Sequence, residues 1–310
     1  MHETFIQPPF LRPGSRILIL APAGSFQDSD ALQKAIEWAE ARGWIVEVHP
    51  QTFRRFGSLA GRDNERLHAL QEAFARRDID LIWAVRGGYG SLRIIDGLDF
   101  SPLRRYPKWL AGFSDISVFL ARALREGIAA WHSFMPVQFS EKIPQEVLEH
   151  TAAVWSGHSR TLSVPRDSMN QNEKNIEGIL AGGNAAVLAS CLSACKLDFN
   201  GKILFLEDIG EHLYALDRIF QTLRRGKVFE GVKALILGHF TDIRHDSPPF
   251  PYSVKEIILQ ATGRKDLPVF FGLPAGHSPR NYPLMSGGKY KISVEPEKWV
   301  LQPLFKTESV

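Results

Sequence analysis

Lys108-Trp-Leu-Ala-Gly-Phe-Ser-Asp-Ile-Ser-Val-Phe-Leu120 changes its hydrophobic period halfway along. An apolar run, Trp109 to Ala111, reaches Gly112, and apolar residues then recur at Ile116, Phe119, Leu120, Ala123 and Leu124. The recurrence is one face of a helix, and the run before it is a short buried strand. Ser114 therefore stands at a sharp strand-to-helix turn. Its hydroxyl is held out at the carboxyl end of a sheet, over the N–H groups and positive dipole end of the helix. That is the geometry of a nucleophile elbow. The match to G-x-S-x-G is partial, because Ile116 takes the place of the second glycine. The plain alternative is a helix N-cap, a position that serine favours. A capping box would want Glu or Gln where Ser117 stands.

Upstream, Arg16-Ile-Leu-Ile-Leu20 reads as a strand buried on both faces, closed by Ala21-Pro-Ala-Gly-Ser25. A helix over 28–42 follows, with Leu32, Ala35, Ile36 and Ala39 on one face and Gly43 as its stop. Residues 44–48 and 80–85 are further strands around a helix over 61–77. Strands alternating with helices make a parallel sheet covered on both faces, which binds ligands at the carboxyl ends of its strands. The third strand runs into Arg86-Gly-Gly-Tyr-Gly90. A phosphate loop would need G-x-G-x-x-G or a Walker lysine, and neither is present. An oxyanion loop facing Ser114 is the second reading, with Arg86 free to hold a substrate carboxylate. A plain glycine turn beside a solvated arginine is the third.

Downstream, residues 140–175 change character, with one helical piece over 147–155 and a polar loop, Pro165-Arg-Asp-Ser-Met-Asn-Gln-Asn-Glu-Lys174. The expected division is 1–145, a connection over 146–175, and 176–310. The second half offers strands over 176–180, 202–206, 233–240 and 269–273, one apolar helix through Cys195, and a hairpin over 289–302 turning at Glu295-Pro296. It has more antiparallel character. A chain of 310 residues suits two such domains. A net charge of +3 gives no argument for nucleic acid or a membrane surface. No apolar run reaches the roughly 18–20 residues of a membrane span. The start of the chain lacks the pattern of a signal peptide, so the expected location is cytoplasmic. Cys191 and Cys195 read as buried thiols on one helix face.

Three chemical groups stand at the ends of apolar strands: Ser114, Glu207 after Lys202-Ile-Leu-Phe-Leu206, and His277 after Pro274-Ala-Gly. An imidazole can take the proton of a serine hydroxyl and return it to a leaving amine. A carboxylate on the other ring nitrogen fixes the tautomer and stabilises the imidazolium. Spacing alone does not bring the three together. Glu207 could instead pair with Arg218, and His132 and His239 are competing bases among ten histidines.

The stretches Ala84-Val-Arg-Gly-Gly-Tyr-Gly90, Leu110-Ala-Gly-Phe-Ser-Asp-Ile-Ser117, Leu206-Glu-Asp-Ile-Gly-Glu211 and Leu273-Pro-Ala-Gly-His277 resemble the LD-carboxypeptidase family. This serine peptidase family includes muramoyl-tetrapeptide carboxypeptidases and microcin C immunity peptidases. The resemblance implies a flavodoxin-like α/β amino-terminal domain with a parallel sheet and a smaller mixed β/α carboxyl-terminal domain. It implies Ser114 as nucleophile, His277 as general base and acid, and Glu207 as the group that orients His277. The N–H of Asp115 and an N–H of the Gly87-Gly88 turn would form the oxyanion hole. It further implies a small peptide substrate, no metal or organic cofactor, and a homodimer in the cytoplasm. The expected reaction releases terminal D-alanine from murein tetrapeptides in peptidoglycan recycling. Cleavage of a peptidyl- or aminoacyl-nucleotide is the alternative, with Trp131 and Tyr282 as candidates to stack on the base. The sequence departs from the family pattern at Leu213, Ala215, Ser278 and His132-Ser133.

Overall fold

The computed structural model describes residues 5–167, 173–245 and 247–305. The middle of the polar loop over 165–174 lies outside them. The first half follows the alternation of its apolar runs: β1 (Arg16–Leu20), α1 (Ser29–Glu40), β2 (Ile45–Val48), α2 (Asp63–Ala75), β3 (Leu81–Ala84), α3 (Ser101–Arg105), β4 (Trp109–Gly112), α4 (Ser117–Arg125) and β5 (Ala130–His132). β3 and β4 are buried throughout, as central strands covered on both faces must be. Asp28 starts α1 by accepting the N–H of Ala31 at 2.9 Å. The five strands lie parallel in the order 2-1-3-4-5, the flavodoxin-like arrangement.

α5 (Gln145–Trp155) and β6 (Leu162–Pro165) follow. Trp155 of α5 meets Trp83 of β3 edge to face, with ring centres 5.4 Å apart, and docks the helix on the first half. The second half holds β7 (Ile176–Asn184), α6 (Ala185–Ser190), α7 (Leu192–Cys195), β8 (Lys202–Ile209), α8 (Leu213–Arg225), β9 (Ala234–Thr241), α9 (Val254–Thr262), β10 (Val269–Phe271), β11 (Leu284–Ser286), β12 (Lys289–Val294) and β13 (Lys298–Pro303). Its sheet runs β10-β9-β8-β7-β12-β13-β6. The β7 to β10 pairs are parallel, and those from β7 through β12 and β13 to β6 are antiparallel. The hairpin expected over 289–302 is β12 and β13.

β11 leaves its own half. It pairs antiparallel with β5, Leu284 opposite His132, and so completes the first sheet at six strands. The apolar cores merge as well. One cluster of buried side chains runs from Leu18 and Ile82 through Phe119 and Leu120 of α4 to Leu188 and Leu206. The carboxyl ends of β3 and β4 therefore open onto the same space as those of β8 and β9.

Candidate active site

Ser114 follows β4 with a backbone φ of +61°, in the left-handed region that a side chain with a Cβ enters at a cost. Phe113 before it is extended, and the helical path begins at Ser114 itself. The strand thus turns within one residue, and the side chain projects instead of packing. The turn is held from two sides. Asp115 buries its carboxylate and accepts the N–H of Ser91 at 2.8 Å, tying the elbow to the glycine loop after β3. Burial pushes that carboxyl above its usual range. Arg66 of α2, fully buried, donates to the carbonyls of Pro22 and Gly90 at 2.9 and 2.8 Å, and also meets Asp63.

Gly87 passes so close to the elbow that a methyl group on it would lie 2.9 Å from Cβ of Ser114, 3.1 Å from its Oγ and 3.2 Å from the Asp115 nitrogen. Only glycine allows the backbone that approach. Arg86, half-buried, donates from Nη1 to the Ser25 carbonyl at 2.9 Å, and its buried Nε meets no partner among the described residues.

From the second half, Glu207 on β8 is wholly buried. Its Oε2 accepts from Nδ1 of His277 at 2.7 Å and from the His277 backbone N–H at 3.2 Å. A carboxylate accepts, so this contact calls for the tautomer with the proton on Nδ1, which leaves Nε2 to face a reacting group. Gly276 makes the pairing possible. It sits at φ +110°, and a Cβ there would come within 2.6 Å of Oε2. Phe113 packs on the imidazole, ring centres 4.7 Å apart, and Thr241 donates to the His277 carbonyl at 3.0 Å.

Ser114, His277, Arg86, Gly87, Gly88 and Phe113 line one cleft of about 550 Å³. Glu207 lies behind His277. Arg218, the other partner considered for Glu207, stacks over Tyr214 instead. His132 is 2% exposed and lies outside the cleft, and His239 lines a separate cavity. Trp131 is buried against Trp109, Tyr282 packs on His150, and neither lines the cleft. Among the described residues no group of three His, Cys, Asp or Glu side chains could hold a metal ion.

One network was missed in the sequence. Ser117 Oγ on α4 accepts the N–H of Asn184 at 3.1 Å, and Asn184 Nδ2 donates to Asp208 at 3.0 Å. Asp208 also accepts the N–H of Ala186 at 2.9 Å. Burial raises its carboxyl to about 6. The available signal was polar residues interrupting apolar runs.

A serine at a strained strand end that shares a cleft with an imidazole–carboxylate pair brings together the groups that a serine hydrolase needs. Residues 17–133 match the model of the LD-carboxypeptidase N-terminal domain, and residues 177–292 that of its C-terminal domain. The chain belongs to the LD-carboxypeptidase family and is a serine-type carboxypeptidase. It is 32% identical to the murein tetrapeptide carboxypeptidase of Pseudomonas aeruginosa, over 86% of this chain and 89% of that one. The crystal structure of muramoyltetrapeptide carboxypeptidase from Oxalobacter formigenes superposes with a TM-score of 0.84 at 29% identity, covering 93% of this chain and 98% of that one. The Microcin C7 self-immunity protein MccF of Escherichia coli is 25% identical over 84% of this chain and 85% of its own.

Proposed function

We propose that this enzyme hydrolyses the L,D-peptide bond that holds the terminal D-alanine of murein tetrapeptides. Ser114 Oγ attacks the scissile carbonyl while Nε2 of His277 takes its proton. The oxyanion that forms is met by the N–H of Asp115 and an N–H of the Gly87-Gly88 turn. His277 then protonates the leaving amine of D-alanine. A water, deprotonated by the same nitrogen, releases the acyl group from Ser114. Glu207 holds the imidazole in the required tautomer throughout. Arg86, which lines the cleft, takes the free carboxylate of D-alanine. The observation that carries the reading is the 2.7 Å pair of Glu207 and His277 in the cleft that Ser114 lines.

The same chemistry would serve an aminoacyl-nucleotide, the second reading that the likeness to MccF supports. Neither Trp131 nor Tyr282, the two side chains considered for stacking on a base, lines the cleft. We place residues 1–145 in a nucleophile-bearing unit and 176–310 in the unit bearing Glu207 and His277, joined through 146–175. The reading has the enzyme act as a homodimer in the cytoplasm, where murein fragments are recycled. No helix among the described residues is long and apolar enough to cross a membrane.

The test is incubation of wild type and Ser114→Ala with the L-Ala-D-Glu-diaminopimelate-D-Ala tetrapeptide, with D-alanine release read by mass spectrometry. Release by wild type alone is expected. Equal release by both proteins would remove Ser114 from the mechanism. No release by either would transfer the reading to peptidyl-nucleotide substrates.

A further inference from the structure

The carboxylate of Glu207 is used on one side only. Oε2 takes both hydrogen bonds from His277, while Oε1, equally buried, meets no partner among the described residues. A buried carboxylate oxygen without a donor is costly. Two unpaired buried donors lie around the same pair. Asn281 is wholly buried; its Oδ1 accepts the Gly276 N–H at 2.8 Å, and its Nδ2 meets nothing among the described residues. His132, at the end of β5, has neither ring nitrogen paired among them.

His132 is bounded by the rings that flank the pair. Its centre is 5.0 Å from that of Phe205, which precedes Glu207 by two positions on β8, and 5.6 Å from that of Phe113, which itself covers His277. Burial pushes His132 down to about 4, against the pull of Glu207 and with the push of His277. The ring is therefore neutral at pH 7, with one N–H to give. Besides His277 and His132, the titratable side chains near Glu207 are His239 and Asp208, the latter turned toward the start of α6.

We propose that His132 is a positioning residue of this enzyme: its N–H and the Asn281 amide donate, through buried water, to Oε1 of Glu207. A water in that place has the two to four polar partners that an internal water needs. The second oxygen is thereby fixed, and Oε2 stays aimed at Nδ1. The inference rests on the proposed roles of Ser114, His277 and Glu207.

His132→Phe keeps an aromatic ring among aromatic neighbours and removes the donor, and His132→Gln restores one. Each is assayed for tetrapeptide turnover against pH and for the rate of Ser114 labelling by a fluorophosphonate, with active protein counted by the label bound. In His132→Phe we expect kcat lower by roughly tenfold to a hundredfold at little change in KM. The acid limb of its pH profile moves upward, because a carboxylate that has lost a donor holds the imidazolium more strongly. Glutamine recovers most of the loss. A role in packing alone would lower the active fraction or Tm and leave the rate per labelled serine and the pH profile unchanged. That result, or equal rates in the Phe and Gln variants, overturns the proposal. If wild type labels at Ser114 but leaves the tetrapeptide intact, the substrate reading fails while the labelling rates still decide the role of His132. If Ser114 does not label, both readings fall.

Discussion

Gly87→Ala puts one methyl group where the reaction would build negative charge. That carbon would lie 2.9 Å from Cβ of Ser114 and 3.2 Å from the Asp115 nitrogen. Carbon atoms at contact prefer about 3.5–4.0 Å, so the overlap approaches 1 Å. Neither neighbour can yield cheaply. The Ser114 backbone is held in its left-handed turn, and the Asp115 carboxylate is anchored on Ser91. Either Ser114 is displaced, or the methyl stands where the oxyanion would meet the Asp115 N–H. Removal of one oxyanion donor lowers kcat by roughly 10²–10³, about 2.7–4 kcal/mol, and we expect a loss in that range with KM little changed. The backbone of Gly87 lies outside the left-handed region, so alanine there carries no strain of its own. Gly201→Ala is the control. Gly201 lies outside the cleft, with φ +72° and nothing within 4 Å of the added carbon, so its cost is backbone strain of about 1–2 kcal/mol. It should lower Tm and spare kcat. Steady-state D-alanine release and thermal melts of both variants decide the matter. A folded Gly87→Ala enzyme within threefold of wild-type kcat would refute the placing of the oxyanion hole.

Ser114→Ala and His277→Ala should each lower turnover on the order of 10⁶-fold, the scale seen in a serine protease. Glu207→Gln should cost about 10⁴-fold, because the tautomer is no longer enforced; equal activity in the three variants, by the same D-alanine assay, would overturn the triad. Arg86→Ala should raise KM by roughly tenfold to a hundredfold, the worth of a charged hydrogen bond of about 1.5–3 kcal/mol, and an unchanged KM would remove Arg86 from carboxylate binding. Asp208 is held near 6 in the folded protein against about 4 unfolded. The native state therefore binds the extra proton between those values, and stability falls as pH rises from about 4 to about 6, by at most about 3 kcal/mol. Urea unfolding across that window should show the decline in wild type and its absence in Asp208→Asn; parallel curves would refute the assignment.

The alternation of strands and helices in the first half was legible because its signals are local. A buried run, a helical face and a glycine loop follow one another there, and right-handed crossovers leave few topologies. The corner at Ser114 was legible for the same reason, though its left-handed φ was not, since a serine carries no mark of strain. β11 was illegible. Three residues have no period, and pairing with β5 is a long-range choice. The apolar helix expected through Cys195 breaks at Cys191 into α6 and α7, and β7 runs on past residue 180 through two glycines to Asn184. His132 could be read as a histidine near the end of a strand. Its enclosure by Phe113 and Phe205 comes from the packing of two halves.

That packing explains how groups far apart in the chain come to face one cleft. Ser114 precedes α4 by three residues, and Ser117, the first residue of α4, accepts the backbone N–H of Asn184 at the end of β7. Asn184 reaches across to Asp208, and Asp208 follows Glu207 on β8. The distance from nucleophile to carboxylate is therefore spanned by two buried hydrogen bonds and short runs of rigid backbone. Each such bond, once broken inside the protein, leaves a polar group unpaired at about 1–3 kcal/mol. A slip of α4 along the second sheet would break the first, and a slip of β7 against β8 the second. Polar residues in this buried seam fix register where apolar packing alone would tolerate sliding, and the register is what aims His277 and Ser114 into the same cleft.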